Sequence, residues 1–289
     1  MPRLDLLKFV LPEHCTSNTE RMARNRTMQI RNTMFNLVGF TVWEDIFGEI
    51  NRYSWDERVL IYRYNKLVHD HLDAFLSDSP EPLLATRPFG VSAGRDPFEN
   101  ASQENPPTYD FPFPPTYNAH FTGLYVNKFP ARNKILYSLY HRDHDNVDRF
   151  HDNRLTGRLI KVDIPDGWHM VNIWDGLPIE VVVDNAEKWA YTNLELPDQS
   201  CFLVALPEKI VVKKNDTVWT VRVPQAEGGE LRLVGMDVDR RPIYAPEVPA
   251  SRELSFSADQ VPANVNGYVM VQYLKNKVVQ DVTVVCIQD

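Results

Sequence analysis

Apolar residues in the first eighty positions come in two kinds of pattern, short dense runs and helical repeats. Leu4 to Leu11 is a brief, mostly apolar run closed by Pro12, and it predicts a buried strand. Ser17-Asn18-Thr19-Glu20 then matches a capping box, so a helix is predicted from there to about Asn36. Leu37 to Trp43 is rich in β-favouring residues and too short for a typical helix, which predicts a second strand. A second capping box, Ser54-Trp55-Asp56-Glu57, precedes Val59, Leu60, Tyr64, Leu67, Val68, His71, Leu72 and Phe75 at helical spacing. The prolines between Ser77 and Pro82 end that helix.

Beyond residue 80 the period changes. A proline-rich stretch over 94–118 carries aromatics but few aliphatics and suits a surface loop. Short β-type runs follow at Ile135–Tyr140, Leu159–Val162, His169–Trp174, Ile179–Val183, Trp189–Leu194, Cys201–Leu206, Ile210–Val212 and Val218–Val223. Turn residues separate them, which predicts an antiparallel sandwich. Pro224 to Glu230 reads as a linker, and the remainder as a small β module that includes Tyr268–Tyr273 and Val282–Ile287. The predicted units are therefore 1–79, 80–223 and 224–289, an α/β segment followed by all-β structure.

Composition narrows the partners. A formal net charge of -8, with no basic run longer than a pair such as Lys213-Lys214, disfavours nucleic acid and anionic membranes. No stretch approaches the roughly 20 apolar residues of a membrane span. Cys15, Cys201 and Cys286 lie far apart without metal or disulfide spacing. The His141-Arg142-Asp143-His144-Asp145 run, with His151 and Asp152 beyond it, is rich in ligand-type residues but matches no metal motif and reads as a solvated hairpin loop. No cofactor or metal is implied, and no GxSxG, P-loop or GxGxxG pattern is present. Met1 stands only a few residues before the first predicted strand, so the compartment stays open.

The candidate chemistry lies in two acidic turns, Pro12-Glu13-His14 and Trp43-Glu44-Asp45, each placed where a predicted strand hands over to a helix. In a parallel α/β layout both turns open onto the end of the sheet that collects ligands. Glycoside hydrolysis uses two carboxyl groups roughly 5 to 10 Å apart, which makes Glu13 and Asp45 the candidate catalytic pair. Trp43 offers a flat face for a sugar ring, while Glu44 and His14 offer hydrogen bonds to its hydroxyls. Asp45 and Glu44 also fit a plainer role, bracing the loop ahead of Ser54, while Trp43 fits core packing at a strand end and His14 a solvated or structural place in its turn. Trp168, Trp174, Trp189 and Trp219 fall in predicted strands, where they either fill the space between sheets or form a carbohydrate platform.

Two segments carry a resemblance. Val126-Asn127-Lys128-Phe129-Pro130-Ala131-Arg132-Asn133-Lys134-Ile135-Leu136-Tyr137-Ser138-Leu139-Tyr140 resembles the opening of the C-terminal β-sandwich in glycosidase-like barrels distantly related to the α-galactosidase group, with His141 where those proteins usually have Asn. Phe40-Thr41-Val42-Trp43-Glu44-Asp45-Ile46-Phe47-Gly48 is similar to their final barrel strand and loop, where Asp often stands at the position of Glu44. The resemblance implies that residues 1–79 are the last two β/α units of a (β/α)₈, or TIM-type, barrel. It further implies the C-terminal part of a glycoside hydrolase-like protein that contributes to an oligosaccharide or glycoside site without being catalytic alone. Two such units leave open strand edges that self-association or a partner chain would have to cover. The alternative is a non-catalytic carbohydrate-binding or structural β-sandwich protein.

Overall fold

The computed structural model describes residues 6–12, 17–20, 26–42, 53–83, 124–141, 154–184, 186–195, 200–262 and 265–288. Its front end runs α1 (Leu6–Val10), β1 (Ser17–Glu20), α2 (Arg26–Asn36), β2 (Gly39–Val42), α3 (Trp55–Asp70) and α4 (Leu72–Phe75). β1 and β2 pair in parallel, Ser17 opposite Gly39 and Glu20 opposite Val42, and the chain between them includes α2, as a parallel crossover requires. In α3 both halves of the capping box are made: Glu57 N donates to Ser54 Oγ at 3.2 Å, and Ser54 N donates to Glu57 Oε2 at 2.7 Å.

This front end is not the closing arc of a (β/α)₈ barrel, and the predicted fold class is corrected here. Among the described residues the two parallel strands pair only with each other, and every other sheet is antiparallel. The run Leu4–Leu11, predicted as a strand, forms helix α1 instead. Short apolar runs do not distinguish strand from helix by periodicity. Here Phe9 packs against Phe129, and the buried Lys8 donates from Nζ to the Phe75 carbonyl. Ser17-Asn18-Thr19-Glu20 is strand β1 and not a helix cap, and helix α2 begins only at Arg26.

Most of the chain is antiparallel β. An eight-stranded sheet takes β3 (Glu81–Leu83), β4 (Leu124–Ala131), β5 (Lys134–His141), β6 (Arg154–Val162), β7 (Trp168–Asn172), β8 (Leu177–Asp184), β9 (Glu187–Glu195) and β10 (Ser200–Pro207) in the order β3-β4-β5-β10-β7-β8-β9-β6. β10 is central and buried over almost its whole length, as a strand covered on both faces must be. A three-stranded sheet follows from β11 (Val211–Asn215), β12 (Val218–Arg222) and β16 (Leu254–Ser257). The last sheet holds β13 (Glu230–Met236), β14 (Pro242–Tyr244), β15 (Val248–Pro249), β17 (Tyr268–Lys275) and β18 (Val278–Cys286).

The central strand of that last sheet, β17, is buried on both faces, and its side chains alternate between two cores. On β17, Val269, Val271 and Tyr273 join Trp219, Val221 and Phe256 of the three-stranded sheet in a local sandwich core. Met270 and Leu274, on the opposite face, enter a larger core with Trp174, Phe202 and Leu203 of the eight-stranded sheet and with Met34, Leu60 and Tyr64 of the helices. The chain therefore shares one large core between the helical front end, the eight-stranded sheet and the inner face of the last sheet. Of the four tryptophans expected in strands, Trp174, in the turn after β7, and Trp219 are buried in these cores, while Trp168, against the larger one, and Trp189 are half-buried. Among the described residues no helix is long and apolar enough to cross a membrane.

Candidate functional site

Glu13, His14, Trp43, Glu44 and Asp45 all lie outside the described residues, as do residues 142–153 of the His/Asp-rich run. Functional geometry is found instead where the last sheet meets the eight-stranded sheet. A cleft of about 890 Å³ opens there, within the usual range for small-molecule sites.

Its walls come from turns held by the sheets. The β17–β18 hairpin turns through Asn276 and Lys277, whose φ angles of 54° and 65° are the paired positive values of a tight two-residue turn. This presents Lys275 and Asn276 to the cleft. The facing wall is the segment from Pro224 to Glu227, anchored just beyond by Gly228 and Gly229. The Tyr273 hydroxyl donates to the Gly228 carbonyl at 2.9 Å. At Gly229, with φ of +91°, an added Cβ would stand 2.2 Å from the Leu274 carbonyl oxygen, so only glycine fits. Arg132 and Asn133, in the β4–β5 turn, and Glu208 and Lys209, between β10 and β11, close the remaining sides.

The lining is balanced in charge. Asp73, Glu208 and Glu227 are offset by Arg132, Lys209 and Lys275, and Asn133, Gln225, Asn276 and Gln280 add amides. Two of the acids are engaged. Asp73 Oδ1 sits 3.0 Å from the Nζ of the fully buried Lys134, which also donates to the Val279 carbonyl. Glu227 lies 3.6 Å from Lys275. Burial holds the Lys134 ammonium below the usual lysine range, against the opposing pull of Asp73.

Two buried polar clusters brace this region. Asp281 on β18 is fully buried and accepts four hydrogen bonds, from Lys209 N at 2.7 Å, Ile210 N at 2.8 Å, Val282 N at 2.8 Å and the His169 ring at 2.6 Å. It thereby ties β18, the β10–β11 link and β7 together directly behind Lys209 and Gln280. The second cluster joins α3 to the last sheet. Arg232 donates from Nε to Gln272 Oε1 at 2.7 Å and pairs with Asp70 at 2.5 Å, while its guanidinium stacks 4.3 Å from the Tyr244 ring centroid. Arg63 stacks 3.8 Å from the Trp174 ring centroid and donates to the Trp174 carbonyl at 2.6 Å. Arg240 pairs with Asp175, and burial, aided by Arg63, pushes its guanidinium down to about 9.

His71 lies between the clusters, 2% exposed, and its Nδ1 has no hydrogen-bond partner among the described residues. Burial, and then Lys134 and Arg232, push its pKa well below the ordinary value of 6.5. A neutral imidazole in the fold that gains a proton on unfolding contributes stability that is full above pH ~6.5 and lost as pH falls below it. The loss runs at up to about 1.4 kcal/mol per pH unit until the folded group itself titrates. His71→Gln should therefore flatten the decline between pH 7 and pH 5, read as the difference between variant and parent in urea unfolding. Parallel profiles would contradict the assignment.

Sequence reasoning missed the cleft because its residues come from five separated segments with no shared motif. The available signals were local: the Gly228-Gly229 pair, and Asn276 between two β runs. No protein-family model matches the chain, and a search of curated proteins finds none that matches it.

Proposed function

We propose that this chain binds carbohydrate without catalysing its hydrolysis alone, and that it serves a glycoside hydrolase-like system as its sugar-holding part. The observation that carries this reading is the cleft: preformed, of oligosaccharide size, and lined by amides and mutually offset charges. Sugar hydroxyls both donate and accept, so they suit planar amide, carboxylate and guanidinium groups. A neutral ligand also suits a lining in which cations and carboxylates cancel, since a surplus of either sign would select an ion. Asp73 lies 3.0 Å from the Lys134 ammonium and Glu227 3.6 Å from that of Lys275, so these carboxylates face cations.

The reading is tested by calorimetric titration with neutral oligosaccharides. Gln225→Ala and Asn133→Ala should each weaken binding about three- to tenfold, the worth of one neutral hydrogen bond of ~0.5–1.5 kcal/mol. Affinity should change little as salt rises from about 0.05 to 0.5 M, because no net charge is being screened. A steep salt dependence, or variants that bind like the parent, would refute the neutral-sugar cleft.

A further inference from the structure

Two large aromatic side chains stand in solvent on one face of α3. Trp55 is 55% exposed and Tyr62 41% exposed. Seven residues apart, they differ by two helical turns, about 10.5 Å along the axis. Single exposed apolar residues need no explanation, but two aromatic rings aligned on one helix face form a surface.

That surface is held from beside it. Arg241 stacks 5.2 Å from the Trp55 ring centroid and is itself fixed by Asp237, at 2.7 Å from its Nε, and by Asp239 at 3.5 Å. Lys66 sits 5.6 Å from the ring centroids of both Tyr62 and Tyr244, and the other cation on Tyr244, Arg232, is matched by Asp70 and Glu247. The rings are thus braced by cations, and the two arginines are already offset by carboxylates, leaving little positive field for a phosphate or a nucleic acid.

We infer that Trp55 and Tyr62 form a second saccharide contact, which takes the flat faces of sugar units along a neutral polysaccharide. This rests on the carbohydrate reading of the cleft and deepens it: the ligand becomes a polymer, held at two places. Trp55 opens α3 and Tyr62 stands near its middle, while Asp73 of the cleft follows the other end of that helix, so Trp55 lies about 25 Å and Tyr62 about 15 Å from it along the axis. A trisaccharide held in the cleft does not reach the rings, and a chain spanning both gains by effective concentration. Flat indole and phenol rings suit the apolar face of a pyranose.

The experiment compares parent, Trp55→Ala/Tyr62→Ala and Trp55→Phe/Tyr62→Phe proteins in affinity electrophoresis through neutral glucans, xylans, mannans and galactans. Calorimetry with the matching trisaccharides runs alongside, and circular dichroism checks the fold of each variant. The alanine pair should lose about tenfold or more of its polymer retention while its trisaccharide affinity is kept, and the phenylalanine pair should restore retention. If the parent binds trisaccharide and the alanine pair is retained by polymer like the parent, the second contact is refuted and the cleft stands. A parent that binds neither polymer nor trisaccharide refutes the carbohydrate reading itself. Self-association that the alanine pair abolishes, with retention unchanged, assigns the rings to a protein interface and overturns the proposal.

Discussion

Asp281→Ala should lower the unfolding free energy by about 3–5 kcal/mol. The carboxylate is fully buried, and its four hydrogen bonds come from three backbone amides and the His169 ring. Removing it strips the Ile210 and Val282 amides of an acceptor in a place water does not readily reach, and each such orphan costs about 1–3 kcal/mol. His169 retains access to solvent and so contributes less to the loss. Asp281→Asn keeps one accepting oxygen and should cost less than the alanine change. Because Lys209 and Gln280 line the cleft on either side of this latch, the alanine variant should also lose saccharide affinity while the chain remains folded. Urea unfolding with an unchanged slope checks the stability, and a loss below about 1 kcal/mol would show that the latch is not structural.

Phe202→Ala should cost about 3–5 kcal/mol, the range for truncating a buried aromatic ring that leaves a cavity. Phe202 is 1% exposed on the central strand β10, with its ring centroid 6.3 Å from that of Tyr64 and 5.3 Å from that of Trp174. It is the joint at which α3 meets the eight-stranded sheet. Tyr64 also donates from its hydroxyl to the Val38 carbonyl at 2.5 Å, so loosening its ring reaches the segment between α2 and β2. Amide exchange should therefore rise most in α3, ahead of the outer three-stranded sheet, which packs in the separate local core. Phe202→Leu should retain more than half of the lost stability. Equal exchange increases in both regions would contradict this division of the core.

How much of this was legible in the chain depended on whether independent signals agreed. Helix α3 was plain because its capping box and its apolar spacing point to the same start and the same buried face. The antiparallel strands were legible as short β-type runs between turns. The front end misled because each signal stood alone: a dense apolar run at α1 that fits strand or helix, and a capping-box pattern at β1 with no helix directly behind it. Two-sided burial hid the role of β17, since a strand covered on both faces shows no alternation. Asp281 announced itself only as a lone acid within a β-branched run, and the strand predicted from Val282 began one residue too late to include it. The cleft had no local signal of its own, because antiparallel pairing and the meeting of two sheets assemble it from distant turns.

Nuclear magnetic resonance titration of the isotope-labelled chain with neutral oligosaccharides tests the proposed neutral-sugar cleft most directly. Saturable amide shifts should appear at Asn133, Glu208, Gln225 and across Lys275 to Gln280, with Val238 and Val183 unmoved. No shift with any neutral sugar, or shifts gathered away from those turns, would contradict it.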